Sequence, residues 1–123
     1  MKEISTTANF NGLPGLKITK YIDFLESTGM AKVEILNFKR DLRGWNDSPH
    51  SLRPLKTVLI KTKDRRGEFK NESVYQIWEN SFGLMRAFYF EDLQEYENYN
   101  PSDEMPDAIK REIGLCENYH KGV

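Results

Sequence analysis

Arg53, Lys56, Tyr75, Trp78, Arg86 and Tyr89 are the residues of this chain whose types could do chemistry together. They fall in three short segments that also carry the strand signals described below. An arginine fork binds phosphate oxygens through parallel N–H donors, and an aromatic ring gives a base a surface to stack on. Arginine and lysine can stabilise charge developing on a phosphate while tyrosine or lysine moves protons. Such a set would cleave RNA without a metal. Arg86 is the most informative member. It interrupts an otherwise apolar run, Leu84 to Phe90, so its charge must reach solvent, a carboxylate or a ligand. A salt bridge to Glu79 or Glu91 is the alternative to a phosphate contact.

Other chemistries find less in the sequence. The two histidines, His50 and His120, are far apart, and neither HxxxH nor CxxC spacing occurs, so no metal site is expected. Cys116 lies on the apolar stripe of an expected helix and reads as a small buried hydrophobe. Neither GxGxxG nor GxxxxGK[ST] is present, which leaves nucleotide triphosphate chemistry unsupported. No cofactor is expected. Carboxylate pairs are abundant at Glu91/Asp92, Glu95/Glu97 and Asp103/Glu104, where solubility and helix capping account for them.

At 123 residues the chain has the size of one domain, read as 1–123 with an irregular lead-in over 1–15 and a frayed tail over 119–123. Aromatic residues make up 12%, enough bulky surface for one core. No run approaches a membrane-spanning length, and MKEISTTANFNG lacks the apolar segment of a secretory signal, so the cytoplasm is the expected compartment. The net charge of −1 hides an asymmetry. Residues 1–66 carry 13 Lys/Arg against 7 Asp/Glu, and residues 67–123 carry 5 against 12. A basic first part and an acidic second part make a bipolar surface.

The elements that would position these groups follow from periodicity. Ile18, Tyr21, Ile22 and Leu25 recur at helical spacing over 16–28, and Gly29 follows as a left-handed cap. Ile35, Phe38 and Leu42 predict a second helix from Met30 to Arg43, making a helical hairpin. Strands are expected over 55–62, 74–78 and 84–90, the last with Arg86, Phe88 and Phe90 on one face and Ala87 and Tyr89 on the other. Glu91 to Pro101 reads as an acidic loop. A last helix is expected from Ser102 or Asp107 to Asn118. The resulting fold class is α+β: an N-terminal helical hairpin packed on one face of a small antiparallel sheet of three to four strands, followed by a C-terminal helix.

This middle portion resembles the RelE/HigB superfamily of toxin ribonucleases. The similar features are the hairpin, then Leu52-Arg53-Pro54-Leu55-Lys56, then Val74-Tyr75-Gln76-Ile77-Trp78, then Leu84-Met85-Arg86-Ala87-Phe88-Tyr89-Phe90, over about residues 17–118. The resemblance implies an mRNA endoribonuclease of a toxin–antitoxin pair, acting on the ribosome and neutralised by an antitoxin protein. It implies catalytic roles for Lys56, Arg86 and Tyr89, with Arg53, Tyr75 and Trp78 as RNA-binding neighbours. Two departures stand out: Trp78 sits where many members carry arginine, and the segment before the last helix is acidic where many are lysine-rich. RNA affinity rests largely on cationic neutralisation of phosphates. A second reading therefore stays open: a non-enzymatic inhibitor or immunity protein of a phage or mobile element. It would block a basic partner with Glu91, Asp92, Glu95, Tyr96, Glu97 and Tyr99.

Overall fold

In the computed structural model, the chain is described at residues 1–4, 7–10, 13–37, 48–100, 105 and 107–114. The elements run β1 (Lys2–Ile4), β2 (Thr7–Phe10), β3 (Leu13–Lys17), α1 (Ile18–Ser27), β4 (Ala31–Leu36), β5 (Arg53–Lys63), β6 (Phe69–Glu79), β7 (Met85–Phe90), α2 (Leu93–Asn98) and α3 (Asp107–Glu112). Five strands form one antiparallel sheet in the order β1-β7-β6-β5-β4, and β2 and β3 form a separate two-stranded ribbon.

This architecture overturns the expected fold class. Among the described residues there is no helical hairpin. Helix α1 forms where the 3.6-residue period placed it, and Gly29 ends it at φ 74°, but the chain then enters β4. The local pattern explains the change. Ala31, Val33 and Ile35 alternate with Lys32 and Glu34, a period of two that suits a pleated strand. The helical stripe read through Ile35 relied on Phe38 and Leu42, which lie outside the described residues. The β-branched Val33 and Ile35 favour the strand further. The sheet has five strands rather than three or four, because β4 extends it at one edge and β1 at the other. The 1–15 lead-in, read as irregular with room for a short first strand inside residues 2–10, holds β1, β2 and the start of β3. The acidic stretch read as a loop winds into α2. The expected C-terminal helix is shorter: α3 spans six residues, while Ser102 and 115–118, with Cys116, lie outside the described residues. So do His120 and the 119–123 tail.

Both sheet faces are buried, rather than one. On one face, Ile18, Ile22 and Leu25 of α1 pack on Ala31, Val58, Ile60, Ile77 and Ala87. On the other, Tyr96, Tyr99, Met105 and Ile113 from the C-terminal segment pack on Leu59, Val74, Trp78, Phe88 and Phe90. Phe90 anchors the second layer, with its ring edge-to-face against both Tyr96 and Tyr99 at 5.1 and 5.0 Å. Strict alternation along β6 and β7 therefore assigns each candidate side chain to one layer or the other. No helix among the described residues is long and apolar enough to cross a membrane.

Candidate functional site

Arg86 lies on the C-terminal face of β7, in line with Phe88 and Phe90, which belong to that core layer. Each of its three guanidinium nitrogens donates to one of the protein's own carboxylates. Nε donates to Glu112 Oε2 at 2.8 Å and Nη2 to Glu112 Oε1 at 3.0 Å, a bidentate fork. Nη1 donates to Glu3 Oε1 at 2.7 Å. The hydrogen bonds to Glu112 hold the guanidinium protonated above even its usual range, against a partial desolvation that works the other way. The partners are not Glu79 or Glu91, the nearer residues in sequence. They come from α3 and β1, brought in by the sheet order. Arg86 is a staple between the strand at one edge, the sheet and the last helix.

Tyr89 and Lys56 occupy the opposite face. Tyr89 follows Ala87 by two residues, and Lys56 stands in register with Ile77; Ala87 and Ile77 both belong to the α1 layer. Tyr75 is on that face as well, directly opposite Tyr89, with ring centroids 5.4 Å apart. Burial pushes the Tyr75 phenol above its ordinary range, and the neighbouring Tyr89 and Tyr21 push it the same way, against a hydrogen bond with Ser73. A phenol so shifted is a poorer proton donor near neutrality. Trp78 returns to the C-terminal face. It is 1% exposed, and its indole N–H donates to Gln76 Oε1 at 3.0 Å, so no base can stack on it. Arg53 sits apart, at the sheet end, where Nη1 donates to Ser81 Oγ at 3.0 Å beside a shallow cavity of about 180 Å³. The sheet thus separates Arg86 from Lys56 and Tyr89, and the six residues do not converge.

No family model, no curated protein and no solved structure matches this chain. Among the described residues, no group of three or more His, Cys, Asp or Glu side chains is placed to hold a metal ion.

The acidic segment is better ordered than its composition implied. Asp92 caps α2, its carboxylate accepting from the Glu95 N–H at 2.8 Å. The Asp-x-x-Glu spacing of a capping motif was present in the sequence and is the signal that would have found this helix. Glu95 accepts from the Met1 ammonium at 2.6 Å and from the Glu91 backbone N–H. Tyr96 is buried and donates to the Asn37 carbonyl at 3.1 Å; Tyr99 is buried beside Phe90. Four of the six proposed partner-binding residues therefore serve the fold: Asp92, Glu95, Tyr96 and Tyr99. Glu91 and Glu97 are exposed, with Gln94 and Asn98 beside them on the outer side of α2.

The surroundings of Glu95 have a pH consequence. The Met1 ammonium first, and the Glu91 N–H second, hold this carboxyl below the usual glutamate range. A carboxylate depressed by folding stabilises the fold from its unfolded value, about 4.3, up to neutrality, and that contribution disappears as pH falls through the lower folded value. Glu95→Gln is therefore expected to lower the thermal midpoint near neutrality. The gap to the wild type should close under acid. Melting curves across the acidic range check this, and a gap that widened on acidification would contradict it.

Proposed function

We propose that this chain acts by binding a protein, not by cleaving RNA, and that the partner surface it meets is basic. The observation that carries this reading is the state of Arg86, held by three hydrogen bonds to Glu112 and Glu3 on the face opposite Lys56 and Tyr89. A nuclease of this kind needs its cations on the same side of the scissile phosphate. Support for the binding role comes from the outer side of α2. Gln94, Glu97 and Asn98 of α2, and Glu91 just before its cap, are exposed, while Leu93 and Tyr96 face the core. Two exposed carboxylates, Glu91 and Glu97, on a firmly packed layer suit charge-steered association with a cationic surface.

Two measurements test the reading. Purified chain added to translating ribosomes should leave mRNA intact; cleavage that Arg86→Ala abolishes would overturn the proposal. In cells that express the chain, crosslinking should recover one partner with a basic surface. The double variant Glu91→Gln/Glu97→Gln should weaken that complex by about tenfold, with circular dichroism used to confirm that it folds. Asp92 and Glu95 are left intact because their loss would damage α2 itself. Undiminished binding by the double variant, or an acidic partner, would also overturn the proposal.

A further inference from the structure

The two edges of the main sheet differ. β1 is three residues long, whereas β4 presents six, paired with β5 without a bulge from Ala31↔Thr62 to Leu36↔Thr57. An edge of this length is usually blunted by proline, a bulge, a cover or charged side chains such as Lys32 and Glu34 here, because its outward N–H and C=O groups invite another strand. β4 contains no proline, and no other strand of the described residues pairs with its outer side. Two of the most exposed large apolar residues lie at it, Met30 just before the strand at 50% and Ile35 within it at 66%.

We infer that β4 is a self-association edge, pairing antiparallel with β4 of a second copy about a two-fold axis at Val33. This inference stands independently of the proposed function. Its argument is register. Residues directly opposite one another in an antiparallel pair share a sheet face, so a symmetric self-pairing is centred on one residue. Centring on Lys32 opposes two ammonium groups, and centring on Glu34 opposes two carboxylates. Centring on Val33 does neither. It sets Lys32 against Glu34 of the second copy, twice, on one face, and Ile35 against Ala31, twice, on the other. It also brings Met30 opposite Leu36. Opposite charges directly across a pair stabilise it, and like charges destabilise it. Glu34 has no ion-pair partner among the described residues, and Lys32 rests over the Phe69 ring at 4.6 Å on the same face. The product is a continuous sheet running through both copies, with the exposed apolar residues covered at the seam.

Sedimentation of the full chain tests the edge and its register together. The wild type is expected to be a dimer in the micromolar range. Lys32→Glu alone and Glu34→Lys alone each place like charges across the seam twice, so each dissociation constant should rise by at least about tenfold. Mixing those two variants should produce a heterodimer, because every opposed pair becomes attractive again. The swapped double variant, Lys32→Glu/Glu34→Lys, should dimerise like the wild type. Both positions are exposed, and unchanged circular dichroism confirms that the variants fold. A monomeric wild type, single variants that dimerise normally, or a mixture that stays monomeric would each overturn the inference.

Discussion

Trp78→Ala should cost about 3–5 kcal/mol of folding stability, the range for removing a fully buried large aromatic side chain. Trp78 is 1% exposed and lies in the layer formed by Leu59, Val74, Phe88, Phe90 and the C-terminal segment. Deleting the indole leaves a cavity near the C-terminal end of β6, where the neighbouring strands at Pro54 and Arg86 limit collapse. It also removes the hydrogen bond to Gln76. Trp78→Phe keeps most of the ring volume and should cost far less. Urea denaturation followed by far-ultraviolet circular dichroism measures both. An alanine variant nearly as stable as the wild type would show that this layer is looser than its packing indicates. It would also reopen the idea that the ring is available to a ligand.

Arg86→Ala separates a structural arginine from a catalytic one. The guanidinium makes three charge-assisted hydrogen bonds, two of them as a fork to Glu112. Side-chain exposure of 34% admits solvent, which discounts the interaction, so the expected loss is about 1–2 kcal/mol. Arg86→Lys should recover only part of it, because an ammonium cannot reproduce the planar fork. Double-mutant cycles should give a larger coupling to Glu112 than to Glu3, following the two bonds against one. Stability unaffected by the alanine change would remove the staple. An RNA-cleaving activity lost with the side chain would restore the nuclease reading instead.

The contrast between these two residues shows how far the sequence could be read. Parity in Leu84 to Phe90 already places Arg86 and Tyr89 on opposite faces, since three residues separate them. What parity could not supply was the covering of both faces, which turned two apparent surfaces into core layers. The middle strands were legible because Thr57, Val58, Ile60 and Val74 to Trp78 carry β-branched and aromatic residues bounded by turns. Helix α1 was legible through Ile18, Ile22 and Leu25. β4 was not, because six residues with two charges score weakly against a longer apparent helical stripe, and its pairing with β5 decides the matter. Nor were the partners of Arg86, since Glu3 and Glu112 lie far from it along the chain. The acidic segment misled by composition: Tyr96 and Tyr99 turn inward as anchors, and Asp92 and Glu95 build α2.

The order β1-β7-β6-β5-β4 also bears on how the molecule assembles. β4 to β7 are neighbours in the same order as they occur in the chain, so their ladders close over comparatively short separations. β1 instead joins at Lys2↔Tyr89, across most of the polypeptide. Closing so long a loop is entropically slow and rewarded late. The meander can form first and offer β7 as a template, and the amino-terminal strand zips onto it last. The Glu3–Arg86–Glu112 clasp then acts as the latch of that final step.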